Sequence, residues 1–108
     1  MTSVVNIKNN TPYTVYIGRK VGFPYHWGNP FKVSEYGRDD CLQRFEFWMR
    51  GVSFGNVEAR RRVWIIENLL SLEGEILGCH CKPKECHGDI YVKLLEEYKQ
   101  NGKLRIVL

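Results

Sequence analysis

The densest chemistry in the sequence is the run Cys79-His80-Cys81-Lys82-Pro83-Lys84-Glu85-Cys86-His87-Gly88-Asp89. Three of the chain's four cysteines and two of its three histidines fall within nine residues. On an extended chain alternate side chains share a face, so Cys79 and Cys81 point one way and His80 the other. Pro83 turns the chain, and Cys86 and His87 arrive at the start of a helix. Cys79, Cys81, Cys86 and His87 are therefore a candidate ligand set, because thiolates and imidazole in tetrahedral array suit zinc. Two other readings stand beside this one. Cysteine is among the residue types most often buried, so the thiols could simply pack. A thiol at a helix N-terminus has a lowered pKa, so one of them could be reactive.

The same segment suits an anion. A junction from strand end to helix start presents backbone N–H groups and the positive end of a helix dipole. Lys82 and Lys84 add charge, and Gly88 lets a ligand approach closely. Asp89 has three readings: a cap for helix amides, a support for His87, or a partner for a ribose hydroxyl. If the site catalyses, His87 and Asp89 are the candidate acid and base.

A second constellation is Gly18-Arg19 followed by Trp27-Gly28-Asn29-Pro30-Phe31. Gly18 and Gly28 permit close backbone approach. Arg19 offers a planar fork for phosphate or carboxylate. Trp27 and Phe31 give flat faces on which a base could stack, and Asn29 can donate and accept at a base edge or ribose. The competing reading has the two rings plugging the core and Asn29 holding a turn. His26 reads as solvated. Arg60-Arg61-Arg62 reads as a solvated helix face, with an anion contact as the alternative.

The elements that must position these groups follow from periodicity. Val4–Ile7 and Thr14–Ile17 are β-branched runs and predict strands. From Arg19 to Ser34, glycines, prolines and aromatics predict a long ordered loop, and such loops are usually functional. Apolar Cys41, Phe45, Trp48, Met49 and Val52 fall on one face of a helix starting at Arg38 and ending near Arg50. A second helix is expected from Asn56, as N-cap, to Leu72. Ile76–Cys81 predicts a third strand, 87–100 a third helix, and Leu104–Leu108 a last edge strand. This order implies an α/β fold: residues 1–108 as a single compact domain, with a small mixed, partly parallel sheet flanked by about three helices.

A length of 108 residues, 44% hydrophobic and 26% charged, is that of one globular domain and excludes a disordered or coiled-coil chain. No stretch reaches the roughly 20 apolar residues of a membrane span, and the first residues lack the pattern of a secretory signal. The expectation is a cytoplasmic protein with free thiols and no membrane partner. A net charge of +4 permits an anionic partner without demanding one.

Taken together, Val15-Tyr16-Ile17-Gly18-Arg19, Trp27-Gly28-Asn29-Pro30-Phe31, Leu77-Gly78-Cys79-His80-Cys81-Lys82-Pro83 and Cys86-His87-Gly88-Asp89 resemble a family of small bacterial and phage proteins known as a domain of unknown function. The chain departs from that pattern at His80, where the family carries an aromatic residue, and in the longer stretch between Arg19 and Trp27. The resemblance implies one compact α/β domain and no particular activity. A likeness to Rossmann-type nucleotide-binding domains is fold analogy alone.

Three functions remain. The first is a nucleotide- or nucleoside-type ligand, bound or cleaved, held by Gly18, Arg19, Trp27, Gly28, Asn29, Lys82 and Gly88. The second is a zinc-clipped module binding protein or nucleic acid. The third is a phage-encoded inhibitor that sequesters a nucleotide.

Overall fold

The structure, a computed structural model, describes all residues except 21, 105, 107 and 108. Three short strands, β1 (Ser3–Asn6), β2 (Val15–Tyr16) and β3 (Ile76–Cys79), form a sheet in the order β1-β3-β2. β3 is central and runs parallel to both neighbours, Asn6 opposite Cys79 and Tyr16 opposite Gly78. The described strands are thus all parallel where a mixed sheet was expected. The last strand expected at Leu104–Leu108 falls partly outside the described residues. Leu104 and Ile106 pack half-buried against the core without strand pairing.

Among the described residues four helices accompany the sheet. α1 (Val33–Tyr36) is a single turn inside the expected loop, and α2 (Arg38–Arg50) matches its expected span. α3 (Ala59–Asn68) is shorter than expected and passes into a 3-10 turn at Leu69–Leu72. Asn56 is not its N-cap: Phe54 and Glu58 adopt left-handed conformations, and the Trp48 indole takes the Val57 carbonyl at 2.8 Å, so the helix begins only after Glu58. α4 (His87–Asn101) ends at Gly102. β3 stops at Cys79, two residues short of expectation.

Period-two alternation divides the sheet's faces. Ile17, Leu77 and Cys79 are buried with Phe45, Trp48, Tyr91 and Leu94 in one core between sheet and helices. On the other face Ile7 and Tyr13 close over Gly78, where a Cβ would stand 2.7 and 2.8 Å from them. α4 meets the sheet just as closely. A Cβ at Gly88 would lie 2.7 Å from Ile17 Cδ1 and 3.0 Å from Val4 Cγ1. Gly88 therefore serves helix–sheet packing.

The arginine triplet corrects the sequence reading. Arg60 is exposed, but Arg61 and Arg62 are only 4% and 8% exposed. Arg62 donates to the Trp48 and Met49 carbonyls at 2.6 and 3.2 Å, among the last of α2, whose carbonyls lack partners within their own helix. Arg61 binds Glu58 and the carbonyls of His26 and Gly28, pinning the long loop. Three consecutive residues span most of a helix circumference, and here two of them face inward.

Replacing Arg62 by Met, which keeps bulk and removes the donors, should cost about 2–3 kcal/mol, because buried carbonyls lose charge-assisted hydrogen bonds. Urea unfolding measures this. A midpoint equal to that of the parent chain would contradict the role given to Arg62.

Candidate functional site

A cavity of about 450 Å³ opens at the carboxyl ends of β2 and β3. That is within the roughly 300–1,000 Å³ typical of small-molecule sites, and strand ends are where open α/β sheets bind ligands. Tyr16, Gly18 and Arg19 come from the end of β2, and Cys79, His80 and Cys81 from the end of β3. Cys86 and His87 come from the start of α4, and Asn29, Phe31, Lys32, Val33 and Ser34 from the long loop and α1. Arg38, Cys41 and Leu42 on α2 complete the wall. The two constellations of the sequence therefore meet in one place.

The wall is built from backbone carbonyls tied by cations. Arg19 Nη2 donates to the Asn29 and Phe31 carbonyls at 2.6 and 3.1 Å. Asn29 is buried, accepts from Phe31 N at 2.9 Å and donates to Cys41 Sγ at 3.1 Å, so its side chain holds the turn. Arg38 Nη1 reaches across to the Glu85 carbonyl at 2.8 Å. The remaining guanidinium nitrogens of Arg19 and Arg38 have no hydrogen-bond partner among the described residues. Arg19, Lys32 and Arg38 line the cavity with no Asp or Glu among the lining residues. Lys32, Arg38 and the hydrogen-bonded pair Tyr16 OH and His80 Nε2, 2.9 Å apart, escaped the sequence reading. Only a fold that closes α2 and β3 around one space brings them in.

Other expected residues lie outside the lining. Trp27 packs on Trp64 and Tyr91, with ring centres at 5.0 and 5.6 Å, and is no free stacking platform. Gly28 sits against Arg19, where a Cβ would be 2.9 Å from Cγ. His26 is half-buried; its Nδ1 accepts from Gly28 N at 3.1 Å, and burial, with Arg61 nearby, lowers its pKa. Lys82 pairs with Asp89 at 2.6 Å, and Asp89 also accepts from Cys86 N at 3.1 Å in a capping box. Of the three readings of Asp89, the helix cap is the one observed.

His87 is held by its Nε2, which donates to the Ile17 carbonyl at 2.7 Å. Burial pushes its pKa down to about 4, so the ring is neutral near pH 7. Cys79 and Cys86 lie with their sulfurs 3.5 Å apart. The low thiol pKa expected at the helix N-terminus is not found. Burial and the adjacent Cys79 push the Cys86 thiol up to about 12, since loss of hydration outweighs the helix dipole. All four cysteines are free. Among the described residues no three His, Cys, Asp or Glu side chains are already arranged to hold a metal ion, and no helix is long and apolar enough to cross a membrane.

Comparison with known proteins identifies the family. Residues 5–97 match the family model described as Domain of unknown function (DUF4326); the chain belongs to that family. It is also similar to the "Uncharacterized 12.4 kDa protein in nrdA-td intergenic region" of Enterobacteria phage T4, 31% identical over 70 residues. The match takes in 64% of this chain and 58% of the phage protein. No solved structure matches significantly.

The thiol environments predict an order of reactivity. Iodoacetamide on the native, reduced protein near pH 8 should modify half-buried Cys81 first and leave Cys41, Cys79 and Cys86 unlabelled until unfolding. Peptide mass mapping reads this directly. Early labelling of Cys86 would contradict its buried, high-pKa setting.

Proposed function

We propose that this protein binds a small anionic ligand of the nucleotide or nucleoside-phosphate type in the cavity at the ends of β2 and β3. One observation carries the reading: three cationic side chains, Arg19, Lys32 and Arg38, line a cavity of small-molecule size that has no carboxylate in its wall. A phosphate set among these cations gains charge-assisted hydrogen bonds of the strong, short kind. The apolar wall, including Phe31 and Leu42, suits the flat body of a base, and the Tyr16–His80 pair offers polar groups at its edge.

The reading is of binding, with or without sequestration of the ligand from other proteins, in preference to cleavage. Of the two candidate catalytic residues, His87 is tied to the Ile17 carbonyl and Asp89 to Lys82 and the Cys86 amide. These bonds commit one ring nitrogen of His87 and both carboxylate oxygens of Asp89 to holding the fold. Trp27, Gly28, Lys82 and Gly88 support the walls from behind.

Isothermal titration calorimetry with inorganic phosphate and a set of nucleoside mono- and diphosphates tests this. At least one nucleotide should bind, more weakly at higher salt. Lys32→Ala and Arg38→Ala should each weaken it about tenfold, equivalent to about 1.4 kcal/mol. Lys32 is exposed, so its loss leaves the fold intact. Absence of binding across the whole set, or binding indifferent to both substitutions, would overturn the reading.

A further inference from the structure

We propose that Cys79, Cys86 and Cys81 form a thiolate site for one thiophilic divalent cation of the zinc class, opening onto the cavity. The inference stands apart from the nucleotide reading and does not need it.

Its first support is spacing. Two thiolates on a tetrahedral zinc ion, each bonded at about 2.3 Å, lie about 3.8 Å apart. The Cys79 and Cys86 sulfurs are 3.5 Å apart. They already form one edge of such a tetrahedron to within a few tenths of an ångström. The pairing is built into the chain path. Lys84 N donates to the Cys81 carbonyl at 2.8 Å, and Asn6 Nδ2 donates to the Lys82 carbonyl at 2.6 Å. These bonds fold the segment back so that the N-cap of α4 faces the end of β3.

The second support is the supply of further donors and of compensating charge. Cys81 follows Cys79 by two residues, lines the same cavity and is half-buried. His87 is left out of the set expected from sequence, because its buried ring is engaged by two backbone groups, Ile17 through Nε2 and Trp27. The fourth position faces the cavity and is open to solvent or a ligand atom. Each thiol loses its proton to solvent as the ion binds. Three thiolates on a divalent cation leave one net negative charge. The Asp89 amide, which donates to the Cys86 side chain, offsets part of it, and the neighbouring Lys82 ammonium is shared with the Asp89 carboxylate.

The test uses Zn(II) alone, titrated into the reduced, chelator-stripped, full-length protein. Native mass spectrometry should find one zinc per chain. Cys79→Ala and Cys86→Ala should each weaken uptake by more than about tenfold, since loss of even an outer-shell partner costs about 10–100-fold. Cys81→Ala should do the same, and Cys41→Ala should leave uptake unchanged. Circular dichroism checks that each variant is folded. Should one of them unfold, the parent protein still decides: zinc should block iodoacetamide at Cys81. Three results would overturn the site: no uptake by the folded parent chain, labelling of Cys81 indifferent to zinc, or folded Cys79→Ala and Cys86→Ala variants that keep their zinc.

Discussion

At Gly88, α4 crosses the sheet so closely that no side chain fits between the helix backbone and Ile17 or Val4. The rest of the site depends on this contact. It seats the first turn of α4 across β1 at Val4 and against Ile17 just beyond β2, bringing the His87 ring to the Ile17 carbonyl and the Cys86 sulfur to Cys79. A Cβ there would stand 2.7 Å from Ile17 Cδ1, so either that side chain or the helix must give way. A residue that reads in the sequence as room for a ligand is, in the fold, room for the sheet.

Arginines do for the irregular segments what ladders do for strands. The described residues between 17 and 32 have almost no regular pairing of their own, and buried carbonyls need donors. Arg19 supplies them to Asn29 and Phe31, Arg61 to His26 and Gly28, and Arg62 to the end of α2. The Tyr91 hydroxyl supplies one to Trp27 at 2.6 Å. The fork of arginine suits this work because one planar group can satisfy two carbonyls. Arg19 has a double part: it builds the wall with one amino group and leaves charge at the cavity.

Much of this was legible from residue order. The helix at Arg38–Arg50 was marked by its apolar stripe and by Gly51, and the strand at Ile76 by a β-branched, apolar run before Pro83. The two motif blocks could be placed at strand ends, and they do meet. What could not be read was direction. Arg61 and Trp27 carry the same local signals whether they face solvent, ligand or core, and only packing against Trp48, Trp64 and Tyr91 decides. Lys32 and Arg38 belong to no motif and enter the site through tertiary closure alone. The thiol pKa at Cys86 went against the helix-dipole rule because burial beside a second thiol costs a thiolate more than the dipole returns.

The central claim is that the cavity at the ends of β2 and β3 is where this protein meets its ligand. Amide chemical-shift mapping by two-dimensional NMR, during titration with the tightest-binding nucleotide, tests it most directly. The account predicts shifts concentrated at Gly18, Lys32, Arg38, His80 and Cys81, with Tyr25, Val63 and Trp64 on the far surface unmoved. Shifts centred on Tyr25 and α3 would contradict it.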